Sequence, residues 1–395
     1  RNFSEYSVWQ RSFGSFAICA TLSASFIGGG YTMGNAAKVY SIGMIYAFGL
    51  LGFSLKEIVV AWLVAPRMHR YNDCHSVGDI MGKHYGQPIK MITGVFSVLI
   101  CTGILGAQVS AIGALFTTFF HMSPLIGIVV GFGVMIAYAA MGGMRSIVYT
   151  DMLQFLVLVI GIPLTFFIGL HSIGGWQVIG HDVPASKIDP FLQPHGIWIL
   201  GRLVLTFIFG EILVPPYMQR LFMAKSTGQT QRATFWAGII SMPIFIIAGA
   251  IGLIAYVMQP HLHPNLAIPY VIQHAMPIGL KGLVIASLLA VIMSSAAGFL
   301  NAAAISFTTD IAMPMLSKRD FHPYFILRLA RIVAIAVGIG AVVFALAINN
   351  ILDILIYAYN LWAPIILVPL LAAIFGLKIT PKHFYHFQSL QSPIT

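Results

Sequence analysis

Phe209-Gly210-Glu211-Ile212-Leu213-Val214-Pro215-Pro216 interrupts an otherwise apolar segment with a carboxylate and two consecutive prolines. Each proline removes a backbone donor and clashes with the preceding turn, so a helix crossing this stretch must break. A second interruption, Gly28-Gly29-Gly30, lies in the first apolar segment. Glycines are common in membrane helices and permit close packing, so one break alone says little. Two breaks, each in the first helix of a five-helix half, point to an inverted-repeat membrane architecture with a binding site at the midplane.

The composition sets this architecture in a bilayer. Of 395 residues, 58% are hydrophobic and 8% charged, and the mean hydropathy is +0.89. Soluble domains carry about 25% charged residues. The unbroken apolar runs exclude a barrel, leaving an all-α polytopic membrane protein. At about 20 residues per crossing, about ten transmembrane spans are predicted: 12–36, 42–66, 90–121, 124–141, 147–170, 197–219, 233–258, 279–312, 328–348 and 351–376. Residues 1–395 are then one membrane domain, with 12–170 as the first five-helix repeat and 197–376 as the second.

The formal net charge of +10 needs no nucleic-acid partner. Arg1, Arg11, Arg67, Arg70, Lys83, Lys90, Arg145, Arg220, Lys225, Arg232, Lys318, Arg319, Arg328, Arg331, Lys378 and Lys382 fall at one set of span ends. Lys38, Lys187, Arg202 and Lys281 fall at the other. The positive-inside rule then puts both ends of the chain on the cytoplasmic side of a plasma (inner) membrane. The outer-loop histidines His171, His181, His195, His261, His263 and His274 are expected to be solvated. Cys19, Cys74 and Cys101 lack metal or disulfide spacing, and Cys19 and Cys101 are expected to be inert packing residues. No cleavable signal peptide is visible, and the opening Arg1-Asn2-Phe3-Ser4-Glu5 lacks an initiator Met, as a fragment would.

Ionisable groups at membrane depth are functional candidates, because burying them is costly. Glu211 stands directly before the second break, as a counter-ion for a cationic substrate, a proton carrier or a structural partner. Lys56 and Glu57 lie in span two about 100° apart, so each is expected to meet a neighbouring helix, with Glu211 a candidate partner for Lys56. Asp151 is either an N-terminal helix carboxylate or a cation ligand. In Met293-Ser294-Ser295-Ala296-Ala297-Gly298-Phe299-Leu300-Asn301, two adjacent hydroxyls sit at membrane depth, and Ser294, Asn301 and Thr308 recur every seventh residue. Such a stripe of oxygens faces a partner helix, a cavity or an ion, and oxygen ligands suit hard cations. No nucleophile elbow, HExxH or Walker A loop is present, so no enzymatic chemistry is supported.

Three motifs together resemble the sodium:solute symporter family, nearest its choline-transporter-like branch. They are Ser25-Phe26-Ile27-Gly28-Gly29-Gly30-Tyr31 with Gly34-Asn35-Ala36-Ala37; Gly142-Gly143-Met144-Arg145-Ser146 leading to Tyr149-Thr150-Asp151 and Gln154; and Met293-Ser294-Ser295 with Leu300-Asn301. Tyr217, Gln219 and Arg220 also resemble that branch. The resemblance implies a leucine-transporter-like core of five plus five inverted helices and sodium-driven uptake of a small solute. It implies sodium ligands at Ser294, Ser295, the Val291 carbonyl and carbonyls near Cys19 and Leu22, with Asp151 as a second site or a relay. Substrate is expected at the paired breaks, near Phe26, Gly28, Gly29, Gln108, Glu211 and Tyr217, with Glu211 standing where that branch has a small residue. Positions matching the branch's aromatic cage hold Phe26, Ile104 and Val214, which argues against choline itself. Relative to the family, helices before and after the core are missing, as in a truncated yet core-complete member.

The expected function is a sodium-coupled secondary active symporter of a small polar, cationic organic solute, with a proton as the alternative coupling ion. Helices three, four, eight and nine would form one body, against which helices one, two, six and seven rock. Substrate and lipid are its expected partners. The rival functions are a symporter-like sensor or regulatory membrane module and a non-transporting remnant.

Overall fold

The computed structural model describes residues 13–316, 323–347, 359 and 362–377. Apart from one isolated bridge between Phe13 and Ala224, the described residues contain no β-structure. Helix α1, Ser15–Phe26, ends where Ile27 leaves helical geometry at ψ 53°. The glycines carry the chain through a wide turn, Gly30–Gly34, into α2, Asn35–Ile42. The two pieces are bent by 55°. Helix α3, Ile45–Val59, continues through a wide turn, Val60–Val64, and then a tighter 3-10 stretch, Ala65–Tyr71. A short helix, α4, Val77–Tyr85, is capped by the Ser76 hydroxyl accepting from the Asp79 amide at 3.0 Å.

Helix α5, Gln87–Phe120, is followed by α6, Pro124–Ser172. The sequence predicts an interruption at 142–146, yet the helical run is not divided there. Glycine tolerates helical dihedrals at a modest cost, and no proline enforces a break at Gly142-Gly143. The side chains of 137–146, Arg145 included, lie outside the description.

The second break separates α7, Gly196–Gly210, from α8, Pro215–Phe222, with a 56° bend. Leu213 sits there at φ 56°, the left-handed region. That conformation costs a non-glycine residue about 1 kcal/mol or more. The carbonyls freed by the break need partners at membrane depth. Lys56 donates to the Glu211 carbonyl at 3.2 Å, and the Trp362 indole donates to the Ile212 carbonyl at 3.0 Å. Helices α9, Thr227–Met258, α10, Ala267–Ala275, α11, Ile278–Ser306, α12, Pro323–Ala347, and α13, Val368–Phe375, follow, with shorter helical segments between them.

Among the described residues, six helices are long and apolar enough to cross a membrane, and the two bent pairs raise the number to eight. They are predicted spans one to three and five to nine. Span four lies within α6. Span ten is represented by the shorter apolar stretch Ala363–Phe375, and most of 351–361 lies outside the described residues. Arg1, Arg11, Lys318, Arg319, Lys378 and Lys382 lie outside them as well. Outward-facing Leu153, Ile160, Phe167, Ile339 and Val343 are exposed, as lipid-facing side chains are. The protein is an all-α polytopic membrane protein with its first and sixth crossings broken. Helix α1 is enclosed by α6, α9 and α11, so both breaks sit inside the bundle.

Candidate functional site

Glu211 lies at the C-terminal end of α7 and is buried. Its carboxylate is held by three phenols. Oε1 accepts from Tyr217 at 2.5 Å, and Oε2 accepts from Tyr359 at 2.6 Å and from Tyr31. The Tyr31 and Tyr359 hydroxyls also touch each other. Tyr31 follows the first break and Tyr217 follows the second, so the two interruptions converge on one carboxylate.

Lys56 is fully buried beside it. Its ammonium pairs with Glu57 Oε1 at 2.6 Å. The expectation that these neighbours would not meet each other is corrected here. Both stems are long enough for the tips to converge, and neither charge has water to turn to. The expected pairing of Lys56 with Glu211 exists, but through the Glu211 backbone carbonyl. The same ammonium lies 3.5 Å from the Phe53 ring centroid, 5.0 Å from Tyr217 and 5.5 Å from Phe26. These are cation–π distances. Phe26 meets Tyr217 edge-on at 4.7 Å and Phe53 at 5.0 Å between centroids.

The remaining substrate candidates adjoin this cluster. The Gly29 amide donates to Gln108 Oε1 at 2.8 Å. A Cβ on Gly28 would stand 2.5 Å from Ser295 Oγ and 2.9 Å from its Cβ, and one on Gly29 would stand 2.7 Å from Ala111 Cβ. Only glycine lets the broken α1 approach α5 and α11 this closely. Phe26 and Tyr217 thus meet at the Glu211 cluster, while Gly28 and Gly29, two and three residues beyond Phe26, meet Gln108 and Ser295. Ile104 is buried on α5 and Val214 in the break. The aromatic walls come instead from Phe53 and Tyr217, with Tyr31, Phe207 and Phe245 behind them.

A second centre surrounds Asp151, which is fully buried. Its Oδ2 pairs with Arg220 Nη2 at 3.2 Å and accepts from Thr21, and its Oδ1 accepts from Ser294. Arg220 also donates to Thr21 Oγ1 and to the Pro216 carbonyl, both at 3.0 Å. Room for the guanidinium comes from Gly298, whose Cβ would stand 2.8 Å from Nη2. Ser295 turns the other way and donates to the carbonyls of Ala24 at 3.2 Å and Ser25 at 3.0 Å. Cys19, Leu22 and Val291 are buried in the same helices, α1 and α11. The carbonyls that Ser295 meets are two to three residues beyond Leu22. The seven-residue stripe does not form one site. Ser294 faces Asp151, Thr308 bonds back to the Ala304 carbonyl at 2.7 Å, and buried Asn301 has no side-chain partner.

Sequence reasoning assigns no site role to Thr21, Tyr31, Phe53, Tyr359 and Trp362, and it counts Arg220 among the span-end charges; Arg220 is instead fully buried and paired with Asp151, because its helix turns inward after the second break. Two signals were available. Phe53 stands three residues before Lys56, on its helix face, and Tyr217 and Arg220 are related in the same way on α8. That spacing connects the two centres through one helical turn. Burial pushes the Cys74 thiol, outside the spanning segments, up to about 12, so it is unreactive. Among the described residues no group of three His, Cys, Asp or Glu side chains suits a metal ion.

The profile of the sodium:solute symporter family matches residues 6–382. The high-affinity choline transporter 1 of Drosophila melanogaster is 24% identical over 97% of this chain, which spans 63% of that transporter's length. The sodium/proline symporter of Staphylococcus aureus (strain JH9) is 25% identical over 92% of this chain and 73% of its own. A solved Na+-coupled sialic acid symporter, in a substrate-bound outward-open state, shares the fold with a TM-score of 0.77 at 22% identity, covering 88% of this chain and 76% of that one. With the family profile running almost end to end along the two broken helices and both buried centres, this chain belongs to the sodium:solute symporter family, a family of transporters and not of enzymes.

Proposed function

We propose that this chain forms the core of a sodium-coupled symporter that imports a small polar, cationic organic solute by alternating access. One observation carries the proposal. Residues flanking both breaks meet in one buried cluster, Phe26 and Tyr31 from the first against Tyr217 and Glu211 from the second. Substrate would bind there, against Phe26, Gly28, Gly29, Gln108, Glu211 and Tyr217, with the carboxylates favouring a positive charge. In the proposed architecture, 12–170 and 197–376 are the two repeats and both ends of the chain face the cytoplasm.

Sodium is cargo in this scheme. Its proposed ligands are the Ser294 and Ser295 hydroxyls with carbonyls of Val291 and of α1 at Cys19 and Leu22, and Asp151 relays it inward. Hard oxygen donors suit the ion. Sodium would join α1 to α11 and hold the outward-open arrangement. The membrane potential adds about 2.3 kcal/mol per charge per 100 mV to the driving force.

The test is thermal stability of the purified protein against sodium, with potassium holding ionic strength constant. A saturable, sodium-specific rise in melting temperature is expected, worth about 2.7 kcal/mol at a hundredfold excess over Kd. Ser294→Ala/Ser295→Ala should abolish it. An unaltered sodium response in that double variant overturns the ligand assignment, and no sodium response in the parent protein overturns sodium coupling.

A further inference from the structure

The aromatic walls beside Glu211 already surround a cation. The ammonium of Lys56 lies over Phe53 at 3.5 Å, with Tyr217 and Phe26 at 5.0 and 5.5 Å. It belongs to a fully buried side chain on α3, the helix that follows the first broken pair. Three ring faces around one positive charge are the chemistry that recognises a substituted ammonium. Two further features fit a cation rather than a neutral head group. Glu57 Oε1 stands 2.6 Å from the nitrogen, and the carbonyl of Glu211, freed by the break, stands 3.2 Å from it. Glu57 and Glu211 together outnumber Lys56 in formal charge, so the pocket keeps a surplus negative charge with Lys56 in place.

We propose that Lys56 is a tethered occupant of the solute site: its ammonium and the head of a small substituted ammonium take turns in the box of Phe26, Phe53 and Tyr217. The inference rests on placing substrate at the paired breaks. Because an ammonium within bonding reach of the rings excludes a second one, solute enters only when Lys56 withdraws. Lys56 and Glu57 are neighbours on one helix, so the displaced lysine keeps its counter-ion as it moves. The device sets specificity. It weakens every cation by the same competition, and it rejects those that cannot replace the aromatic and carbonyl contacts of Lys56. With no solute present it spares the protein a buried, uncompensated pair of carboxylates.

Equilibrium binding of tetramethylammonium and of choline to the purified chain, in saturating sodium, tests this. Lys56→Met removes the competing ammonium from the box and should lower the Kd of both probes at least tenfold. The double variant Lys56→Met/Glu57→Gln removes the whole buried ion pair and guards against misfolding of the single variant. It should also bind more tightly than the parent. Lys56→Arg keeps a cation in the box and should bind no better than the parent. Equal or weaker binding in both methionine variants overturns the proposal, as does absence of binding in every variant. The parent's sodium-specific thermal shift separates the two levels. If the shift is present and the Lys56 variants gain nothing, only the occupant role falls. If the shift is absent, the symporter assignment falls first.

Discussion

Two of the buried carboxylates, Asp151 and Glu211, meet opposite surroundings. Asp151 faces a guanidinium, whose planar fork also ties down Thr21 and the Pro216 carbonyl. Glu211 faces neutral phenols, while the nearest cation bonds to its backbone and rests on aromatic rings. A guanidinium stays charged and keeps a fixed geometry. Phenolic hydroxyls rotate and exchange partners without moving a charge. The Asp151 centre is thus built as a lock between α1, α6, α8 and α11. The Glu211 centre can be rearranged, as the proposed solute site must be.

The contrast sets an order of mutational effects. The largest should follow Arg220→Met, which strands Asp151 in a dry interior. Breaking a buried pair from one side costs about 3–5 kcal/mol. Melting of the purified protein should show this loss, and adding Asp151→Asn should recover much of it, because the double variant leaves no lone charge. A loss no larger than that of a tyrosine variant would break the contrast between lock and site.

Tyr217→Phe comes next. It removes one of three donors to Glu211, a charge-assisted bond worth about 1.5–3 kcal/mol. The expected loss falls at the low end, because Tyr31 and Tyr359 can shift to share the carboxylate. Combining Tyr217→Phe with Tyr31→Phe should cost more than the sum of the singles, and strict additivity in a double-mutant cycle would show that the phenols do not compensate one another.

The smallest effect sharpens the comparison at the second break. Trp362→Phe should cost about 1 kcal/mol by leaving the Ile212 carbonyl without its donor. That carbonyl borders Leu213, the residue in left-handed geometry. Retention of the parent melting temperature would mean that water or another donor replaces the indole.

The two breaks were legible because prolines and glycines act on their own backbone. Ser294, Ser295, Asp151 and Glu211 were legible because polar groups stand out against apolar sequence. Choice of partner was not. Lys56 and Glu57 looked divergent on an ideal helix, yet they pair. Ile104 and Val214 looked like a missing aromatic cage, yet Phe53 and Tyr217 build the walls from another helix and another register. The helical run across Gly142-Gly143 shows the same limit, since glycine permits a break without requiring one.

The sequence by itself determined a helical membrane protein, two interrupted crossings and a few costly polar groups within them. Those properties follow from hydropathy, helix length and local backbone chemistry. Only the tertiary structure decided that Tyr31 and Tyr359 share Glu211, that Arg220 and Ser294 share Asp151, and that Lys56 lies among aromatic rings. Tyr31 and Glu211 are 180 positions apart in the chain, and Ser294 and Asp151 are 143 apart. Helical periodicity says which residues share a face of their own helix. Which faces meet depends on how the helices pack around the breaks, and in a dry interior that packing alone determines where each buried charge finds its partner.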